Sequence, residues 1–173
     1  MLGLVLLTAT PLGVTLLAEH SKGIFLGGAL SRGASKIIVA GTEKKTVRQY
    51  PIVDQMNFSK EKKDSVQFGT WQDVTEDTSP RFNSLLLAGN YDFSELLTAV
   101  HPTLVDGANI VLYCLSSEPL VKAAREMSAR GYLNITLMDS WARTYQVLAN
   151  RTHPMMSMDS CSGFLLHAFK VTQ

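Results

Sequence analysis

Short apolar segments alternate with longer segments of helical length along most of the chain, and this alternation constrains the fold more than any other feature. Each apolar segment has the length and the composition of a buried strand. The segments are VTLLAE (14–19), SKIIVAG (35–41), NSLLLAGN (83–90), ANIVLYCL (108–115), NITLMDSW (134–141) and GFLLHAFKV (163–171). Strands that alternate with helices predict a mostly parallel sheet with helices on both faces.

The helices are recognised by the residues at their ends. Ile24 to Arg32 has helical length and stops at Gly33, a residue type common just after the last turn. The segment SSEPLVKAAREMSARG (116–131) starts with serine, carries Pro119 in its first turn and ends with glycine. A third helix, disturbed near HPT, is expected to follow residue 90. Its candidate N-caps are Asp92 and Ser94.

The last two predicted strands have no helix between them, so we expect them to pair antiparallel. A parallel α/β sheet that ends in an antiparallel hairpin resembles the Rossmann-like class I methyltransferase fold, although a fold alone does not define a function. Residues 54–80 are polar, carry both charge signs and lack a sustained period, which predicts a long mobile loop. A short strand over 53–58 is the alternative there. The 173 residues are expected to form a single domain.

Composition excludes several classes of protein. The formal net charge of +1 predicts no strong field over the whole molecule, so any nucleic-acid contact must come from a local patch or from a partner. Two cysteines, Cys114 and Cys161, are too few for a disulfide framework and indicate reduced thiols in an intracellular protein. The four histidines lie too far apart in the sequence to predict a metal site.

The N-terminal segment 1–18 carries no charge. It lacks the basic start of a signal peptide, and Thr8, Thr10 and Pro11 interrupt the apolar run that a membrane helix would need. We interpret it as two buried pieces, the second of which is the first strand. Because the chain begins inside an apolar element, we expect it to be a fragment whose natural N-terminal domain is absent.

The turn EHSKGIF follows the first strand, where an α/β protein of this plan would hold a cofactor. A methyl-donor loop has an acid and then glycine at alternating positions, because glycine lets the backbone approach the ligand. Counted from Glu19, those positions hold Ser21, Gly23 and Phe25, so one glycine of three is present. Lys22 would also place a positive charge near a sulfonium cation. The sequence therefore predicts a degenerate loop with no bound cofactor.

Two other acids occupy positions where an active enzyme would bind its cofactor or substrate. Glu43 follows the second strand but is adjacent to Lys44 and Lys45, which is typical of an exposed ion pair. Asp92 follows the predicted strand NSLLLAGN (83–90) and is explained equally well as a helix cap. We therefore predict no catalytic residue, no cofactor-binding residue and no metal ligand.

The C-terminal third carries a long motif. SWARTYQVLANRTHPMMSM (140–158), followed by GFLLHAFKV, resembles the non-catalytic subunit of eukaryotic tRNA (adenine-N1)-methyltransferases. The matching residues are Trp141, Arg143, Tyr145, Gln146, Val147, Leu148, Arg151, His153 and Pro154. A second match, at the start of the predicted helix over 116–131, consists of Glu118, Pro119 and Leu120. Two segments depart from the family pattern: DSCSG (159–163) replaces a glycine run, and Asp92-Phe93 replaces histidine-proline.

The resemblance implies a pseudo-enzyme. In such a complex a catalytic partner subunit carries S-adenosylmethionine and the chemistry, within a nuclear two-plus-two assembly that methylates an adenine of the tRNA T loop. This chain is expected to keep the fold, to support the assembly and to help hold the tRNA, with no role at a membrane. We expect the family's N-terminal β-barrel domain to be absent from it, and we expect the isolated domain to be able to self-associate.

The motif also supplies the candidate contact residues. Arg143, Arg151 and His153 are predicted to contact RNA or the partner, since arginine forks suit both. The alternatives are solvated arginines and a rigid turn at His153. Trp141 and Tyr145 are expected to be core or interface anchors rather than base-stacking platforms.

The sequence also contains a run of lysines, Lys60, Lys62 and Lys63. The run could touch tRNA but is more typical of a solvated face.

Two other functions stay open. One is an active S-adenosylmethionine-dependent RNA methyltransferase with an atypical loop. The other is a pure protein-interaction module. Binding of the methyl donor would identify the first, and tRNA binding that tolerates charge reversal in the motif would identify the second.

Overall fold

The computed structural model describes residues 13–21, 23–41, 58–139, 143–156 and 162–171. Nine strands lie in these ranges. They are β1 (Val14–Glu19), β2 (Lys36–Gly41), β3 (Val66–Thr70), β4 (Phe82–Ala88), β5 (Leu104–Cys114), β6 (Leu133–Asp139), β7 (Tyr145–Leu148), β8 (Arg151–Pro154) and β9 (Phe164–Phe169). The helices are α1 (Ile24–Arg32), α2 (Lys60–Asp64), α3 (Trp71–Thr75), α4 (Phe93–Val100) and α5 (Glu118–Ala129), with a 3-10 turn at His101–Thr103.

Seven strands form one sheet in the order β3-β2-β1-β4-β5-β9-β6. The five strands from β3 to β5 are parallel, with Leu16 of β1 opposite Ile38 of β2 and Leu85 of β4. Strand β9 inserts between β5 and β6 and is antiparallel to both. The prediction of a mostly parallel sheet that ends in an antiparallel pair is thus confirmed.

Helices cover both faces of the sheet, as the alternating pattern predicts. On one face α1 buries four apolar side chains against β1, β2 and β4; they are Phe25, Leu26, Ala29 and Leu30. On the other face α3, α4 and α5 share one apolar cluster with β1, β4, β5 and β9, and α3 lies against β2 and β3. The predicted bounds of α1 match the structure, because Gly33 adopts the left-handed conformation (φ 90°) that ends the helix.

The prediction of an unstructured loop over 54–80 is wrong for residues 58–80. Helix α2, strand β3 and helix α3 lie there. Ser59 caps α2, and Thr70 with Asp73 forms a capping box at α3. Strand β3 pairs with β2 at the edge of the sheet, where it needs few buried side chains. Local caps and edge pairing therefore order a segment whose composition is polar; residues 53–57 of the alternative strand lie outside the described residues.

A second sheet consists of the two strands β7 and β8, and the sequence did not predict it. It lies within the linker between β6 and β9, where Tyr145 pairs with Pro154 and Leu148 with Arg151. Asn150 in its turn has a positive φ of 62°, which asparagine tolerates better than most residues. The predicted antiparallel pairing of β6 with β9 holds, with this hairpin inserted between them.

The amino edge of the sheet buries a cation. Lys170, directly after β9, is 8% exposed and donates hydrogen bonds from Nζ to the carbonyl oxygens of His101 (3.0 Å) and Leu104 (2.6 Å). Burial and the positive charges of Lys170 and Arg130 lower the pKa of His101. The Tyr132 hydroxyl lies 2.6 Å from His101 Nδ1, and burial raises the pKa of Tyr132 to about 12. The neutral phenol therefore donates to the neutral imidazole.

The described part of the chain contains neither a membrane-spanning helix nor a metal-binding cluster. Within the described ranges, no helix has the length and apolar content needed to cross a membrane. Across the same ranges, no group of three or more histidine, cysteine, aspartate or glutamate side chains is arranged to hold a metal ion. Cys114 is a buried free thiol on β5. Residues 1–12, for which a buried piece was predicted, lie outside the described residues, as does Cys161.

Candidate functional site

A cavity of about 540 Å³ opens at the carboxyl ends of β1, β4 and β5. The strand order reverses between β1 and β4, and open α/β sheets bind ligands in the crevice at such a switch point. We call this space the carboxyl-edge cavity. Its lining residues are His20, Ser21, Phe25, Ala88, Gly89, Asn90, Tyr113, Cys114, Leu115 and Ser116.

The acid that follows β1 is used by the chain itself. Glu19 is 5% exposed, and its two carboxylate oxygens accept hydrogen bonds from the backbone N–H groups of Phe25 and Leu26, each at 3.1 Å. The Ser21 hydroxyl donates to the same carboxylate. Glu19 therefore neutralises the N-terminus of α1, where the helix dipole is positive and the first amides have no partner in the helix.

Phe25 fills the third glycine position of the degenerate loop. The side chain is 7% exposed, and its ring centroid lies 5.4 Å from that of Tyr113 on β5. The Tyr113 hydroxyl donates to the Ser162 carbonyl oxygen at 3.0 Å. Of the three glycine positions only Gly23 remains; its positive φ of 94° begins α1. Among the described residues of the loop, Glu19 engages the Phe25 and Leu26 amides, and the Phe25 side chain fills a position where a methyl-donor loop has glycine, which does not fit the close approach of a donor.

The opposite wall of the cavity is formed by the turn after β4. Asn90 N–H donates to His20 Nδ1 at 3.3 Å, and the His20 ring stacks on Tyr91 at 4.2 Å between centroids. A Cβ added at Gly89 would lie 2.7 Å from His20 Nδ1, so this turn needs glycine to bring the two segments together. The wall is therefore held by contacts of the His20 side chain, from the turn after β1, with the turn after β4.

A groove of about 850 Å³ lies beside the cavity, between the first turns of α4 and α5. We call it the α4–α5 groove. Its lining residues are Asn90, Tyr91, Asp92, Phe93, Glu118, Pro119, Val121, Lys122 and Arg125. Asn90 lines both spaces, so the groove adjoins the carboxyl-edge cavity at this residue.

Asp92 acts as a helix cap at this groove. Its Oδ1 accepts from the N–H groups of Ser94 (3.1 Å) and Glu95 (3.2 Å), and its Oδ2 lies 3.3 Å from Lys122 Nζ. The hydrogen bond from Glu95 N–H, with Lys122, lowers the pKa of Asp92. Of the two predicted candidate N-caps of α4, the structure therefore confirms Asp92.

The predicted contact residues lie together on the β7–β8 hairpin, away from the cavity. Arg143, Arg151 and His153 are exposed, and the Arg143 guanidinium lies 5.8 Å from the Tyr145 ring centroid. His153 Nδ1 is 3.0 Å from the carbonyl oxygen of Pro154. Tyr145 is 49% exposed, so the predicted core role does not apply to it, and the interface role stays a prediction. Trp141 lies outside the described residues.

The lysine run on α2 is mostly exposed, with one lysine held in place. Lys62 Nζ lies 3.4 Å from the Leu30 carbonyl oxygen and 5.7 Å from the Phe58 ring centroid. Lys60 points from the first turn of α2 and is exposed. Lys62 therefore helps to attach α2 to α1, and Glu43 lies outside the described residues.

The sequence did not point to three polar residues of the carboxyl-edge cavity and the α4–α5 groove. Asn90, Ser116 and Arg125 are ordinary polar residues in turns and on a helix surface, and none belongs to a motif. Their positions are the only signal that the sequence offers. Asn90 and Ser116 lie at the carboxyl ends of predicted strands, and Arg125 lies on the helix after the second of these strands.

The fold is that of the Rossmann-like class I methyltransferases. An O-methyltransferase from Thermotoga maritima superposes with a TM-score of 0.73 at 14% identity, over 98% of this chain and 63% of its own. The tRNA (m1A58) methyltransferase TrmI from Aquifex aeolicus superposes with a TM-score of 0.71 at 16% identity, over 98% of this chain and 66% of its own. Identities this low establish the fold alone.

At the sequence level, the chain is similar to proteins named tRNA (adenine(58)-N(1))-methyltransferase non-catalytic subunit TRM6. The protein from Mus musculus is 32% identical over 90 residues, and that from Dictyostelium discoideum is 34% identical over 91 residues. The matches cover 51% and 52% of this chain and 18% of each relative, so the matched region is a small part of those proteins. No protein-family model matches the chain. The resemblance predicted from the sequence is confirmed.

Proposed function

We propose that this chain is a non-catalytic subunit of a tRNA (adenine-N1)-methyltransferase complex. A catalytic partner subunit binds S-adenosylmethionine and methylates an adenine of the tRNA T loop in the nucleus. The present chain supports a heterotetrameric assembly and helps to hold the tRNA. The observation that carries the proposal is the 32% and 34% identity to two proteins named as non-catalytic subunits.

The geometry of the loop after β1 supports the non-catalytic part of the proposal. Glu19 and the first amides of α1 satisfy one another, and the ring of Phe25 stands where a donor loop would have glycine. The Glu19 carboxylate and these two amides are thus bonded to each other within the chain, where a donor loop would direct them toward a ligand. The donor and the methyl transfer therefore belong to the partner in this proposal.

The β7–β8 hairpin supports the binding part. Its cations Arg143 and Arg151 are exposed, and arginine suits both phosphate and carboxylate. An adenine within a folded tRNA must be exposed before its ring nitrogen can react, which requires a large platform that holds the RNA. A subunit that lacks chemistry contributes to catalysis through such a platform.

Calorimetric titration of the chain with S-adenosylmethionine tests the non-catalytic part. We expect no saturable heat at ligand concentrations up to about 1 mM, from a chain shown by circular dichroism to be folded. The catalytic partner, titrated in the same buffer, is the positive control. Micromolar binding to the present chain would overturn the proposal and favour the active methyltransferase with an atypical loop.

Charge reversal on the hairpin tests the tRNA part. In the assembled complex, Arg143→Glu with Arg151→Glu is expected to weaken tRNA binding and to reduce the slope of log affinity against log salt by about one per lost phosphate contact. The matched control is Lys60→Glu with Lys63→Glu, which makes the same change of charge on α2. Equal losses from both pairs would show a general charge effect, and unchanged binding would favour a pure protein-interaction module.

A further inference from the structure

The carboxyl-edge cavity is lined by neutral groups. Among its described lining residues none carries a carboxylate, an ammonium or a guanidinium group. Two aromatic rings, Phe25 and Tyr113, form one wall. A space of about 540 Å³ lies within the range of small-molecule sites, which are largely apolar with a few placed polar groups. The chemistry of this cavity therefore suits an uncharged, flat ring system.

The polar groups at the cavity mouth match the edges of a nucleobase. Asn90 offers an amide that both donates and accepts, and Ser116 is exposed and offers a hydroxyl. His20 Nδ1 accepts from the Asn90 N–H, so in the neutral imidazole the proton lies on Nε2, which is a donor. Amide, hydroxyl and imidazole groups at the edge of an aromatic site are the groups that read the edges of unstacked bases.

The adjoining α4–α5 groove supplies two cations, Lys122 and Arg125. Glu118, Lys122 and Arg125 lie on one face of α5, three or four residues apart. The groove's acids are Glu118 and Asp92, and Asp92 is engaged by two backbone amides and by Lys122. Arg125 has no ion-pair partner among the described residues. Its guanidinium is thus available to a phosphate.

We propose that the carboxyl-edge cavity and the α4–α5 groove together bind one nucleotide of an RNA strand. The neutral base enters the cavity between Phe25 and the mouth at Ser116, and the phosphate lies at Arg125. This site is separate from the β7–β8 hairpin. The inference deepens the proposed function and rests on it for the source of the RNA.

Nuclear magnetic resonance titration of the chain tests the two halves of the site. The probes are adenosine 5′-monophosphate, adenosine and ribose 5-phosphate, each up to about 10 mM. We expect the nucleotide to bind, adenosine to bind several-fold more weakly, and ribose 5-phosphate to bind at least tenfold more weakly than the nucleotide, since base stacking supplies most of the affinity. No saturable shift with the nucleotide would overturn the proposal.

Two variants locate the binding. Ser116→Trp fills the mouth of the cavity from an exposed position and is expected to weaken nucleotide binding at least tenfold; Ser128→Trp, on the exposed surface of α5, is the matched control. Arg125→Gln is expected to remove the advantage of the nucleotide over adenosine, whereas Lys60→Gln leaves it. Binding that is unchanged in both Ser116→Trp and Arg125→Gln would overturn the site.

A pentamer of adenylate and S-adenosylmethionine complete the test. A pentamer that binds several-fold more tightly than the mononucleotide, and loses this in Ser116→Trp, identifies an RNA strand as the source. A pentamer that binds no better than the mononucleotide overturns the RNA strand and leaves a site for free nucleotides. S-adenosylmethionine that binds no better than adenosine supports both proposals. S-adenosylmethionine that binds more than tenfold better than adenosine overturns the non-catalytic function, and nucleotide binding is then judged by Ser116→Trp alone.

Discussion

The seven-stranded sheet and the β7–β8 hairpin both contain large apolar residues, yet they place those residues in opposite environments. In the central strands, Leu17, Leu86 and Val111 are fully buried. In the hairpin, Val147 is 77% exposed and Tyr145 is 49% exposed. Each central strand has a neighbour on both sides and helices above and below, whereas the hairpin strands pair only with each other.

This difference separates the scaffold from the contact surface. In the sheet the hydrophobic effect acts within the chain, so packing restricts which side chains are tolerated. A two-stranded ribbon gains little stability by itself. The apolar and cationic side chains of the hairpin therefore remain available to another molecule, as the proposed function requires.

The largest expected effect tests this comparison directly. Leu166, on β9 between β5 and β6, is fully buried, and Leu166→Ala is expected to lower the free energy of unfolding by about 2–5 kcal/mol. Val147→Ala in the hairpin is expected to change it by less than about 0.5 kcal/mol. Urea denaturation measures both. Losses of similar size would show that the hairpin is part of the core after all.

A smaller effect is expected at the carboxyl edge. Glu19→Ala leaves the Phe25 and Leu26 N–H groups buried without an acceptor and is expected to cost about 1–3 kcal/mol of stability. Glu19→Gln keeps one acceptor oxygen and should lose less. Thermal unfolding of the three proteins ranks them. An alanine variant as stable as the native chain would show that the Glu19 carboxylate does not stabilise the fold. Glu19 would then resemble the side chains of the hairpin rather than those of the sheet.

The smallest effect is expected at the amino edge. Tyr132→Phe removes the hydrogen bond between the phenol and His101 Nδ1 and is expected to lower the free energy of unfolding by about 0.5–1.5 kcal/mol near neutral pH. Urea denaturation at several pH values measures it. A loss as large as that of Leu166→Ala would show that polar contacts, and not apolar packing, dominate the scaffold.

The same edge has a pH signature. Because the pKa of Tyr132 is raised to about 12, its contribution to stability is fully present below pH 10 and is lost as the pH rises through about 12. The pKa values of His101 and His167 are lowered, so their contributions are present above pH 6.5 and are lost as the pH falls below it. The alkaline loss should be smaller in Tyr132→Phe, and an identical loss would contradict the assignment.

Much of the fold could be predicted because its signals are local. Runs of buried residues mark the parallel strands, and Asp92 and Gly33 mark helix ends through contacts with their immediate neighbours. The segment 58–80 escaped prediction because β3 is stabilised by pairing with β2, a contact between residues far apart in sequence. Its polar composition carries no trace of that partner.

The candidate site divides in the same way. The loss of glycine after β1 is visible in the sequence, at Ser21 and Phe25. The use of Glu19 by the amides of α1 is visible only in the structure, since either a free or a capped carboxylate fits the same letters. The cavity wall at Asn90 and the cation at Arg125 come from segments that only the sheet brings together.

By itself, the sequence determined the alternation of strands and helices, the degenerate loop and the resemblance carried by the C-terminal motif. These follow from periodicity, caps and short-range patterns that act within a few residues. Only the tertiary structure decided that Tyr145 is exposed, that Glu19 is used internally, and that a cavity lined by neutral groups adjoins, at Asn90, a groove that contains Arg125. The physical reason is that burial and proximity are set by strand order, which depends on contacts between distant parts of the chain.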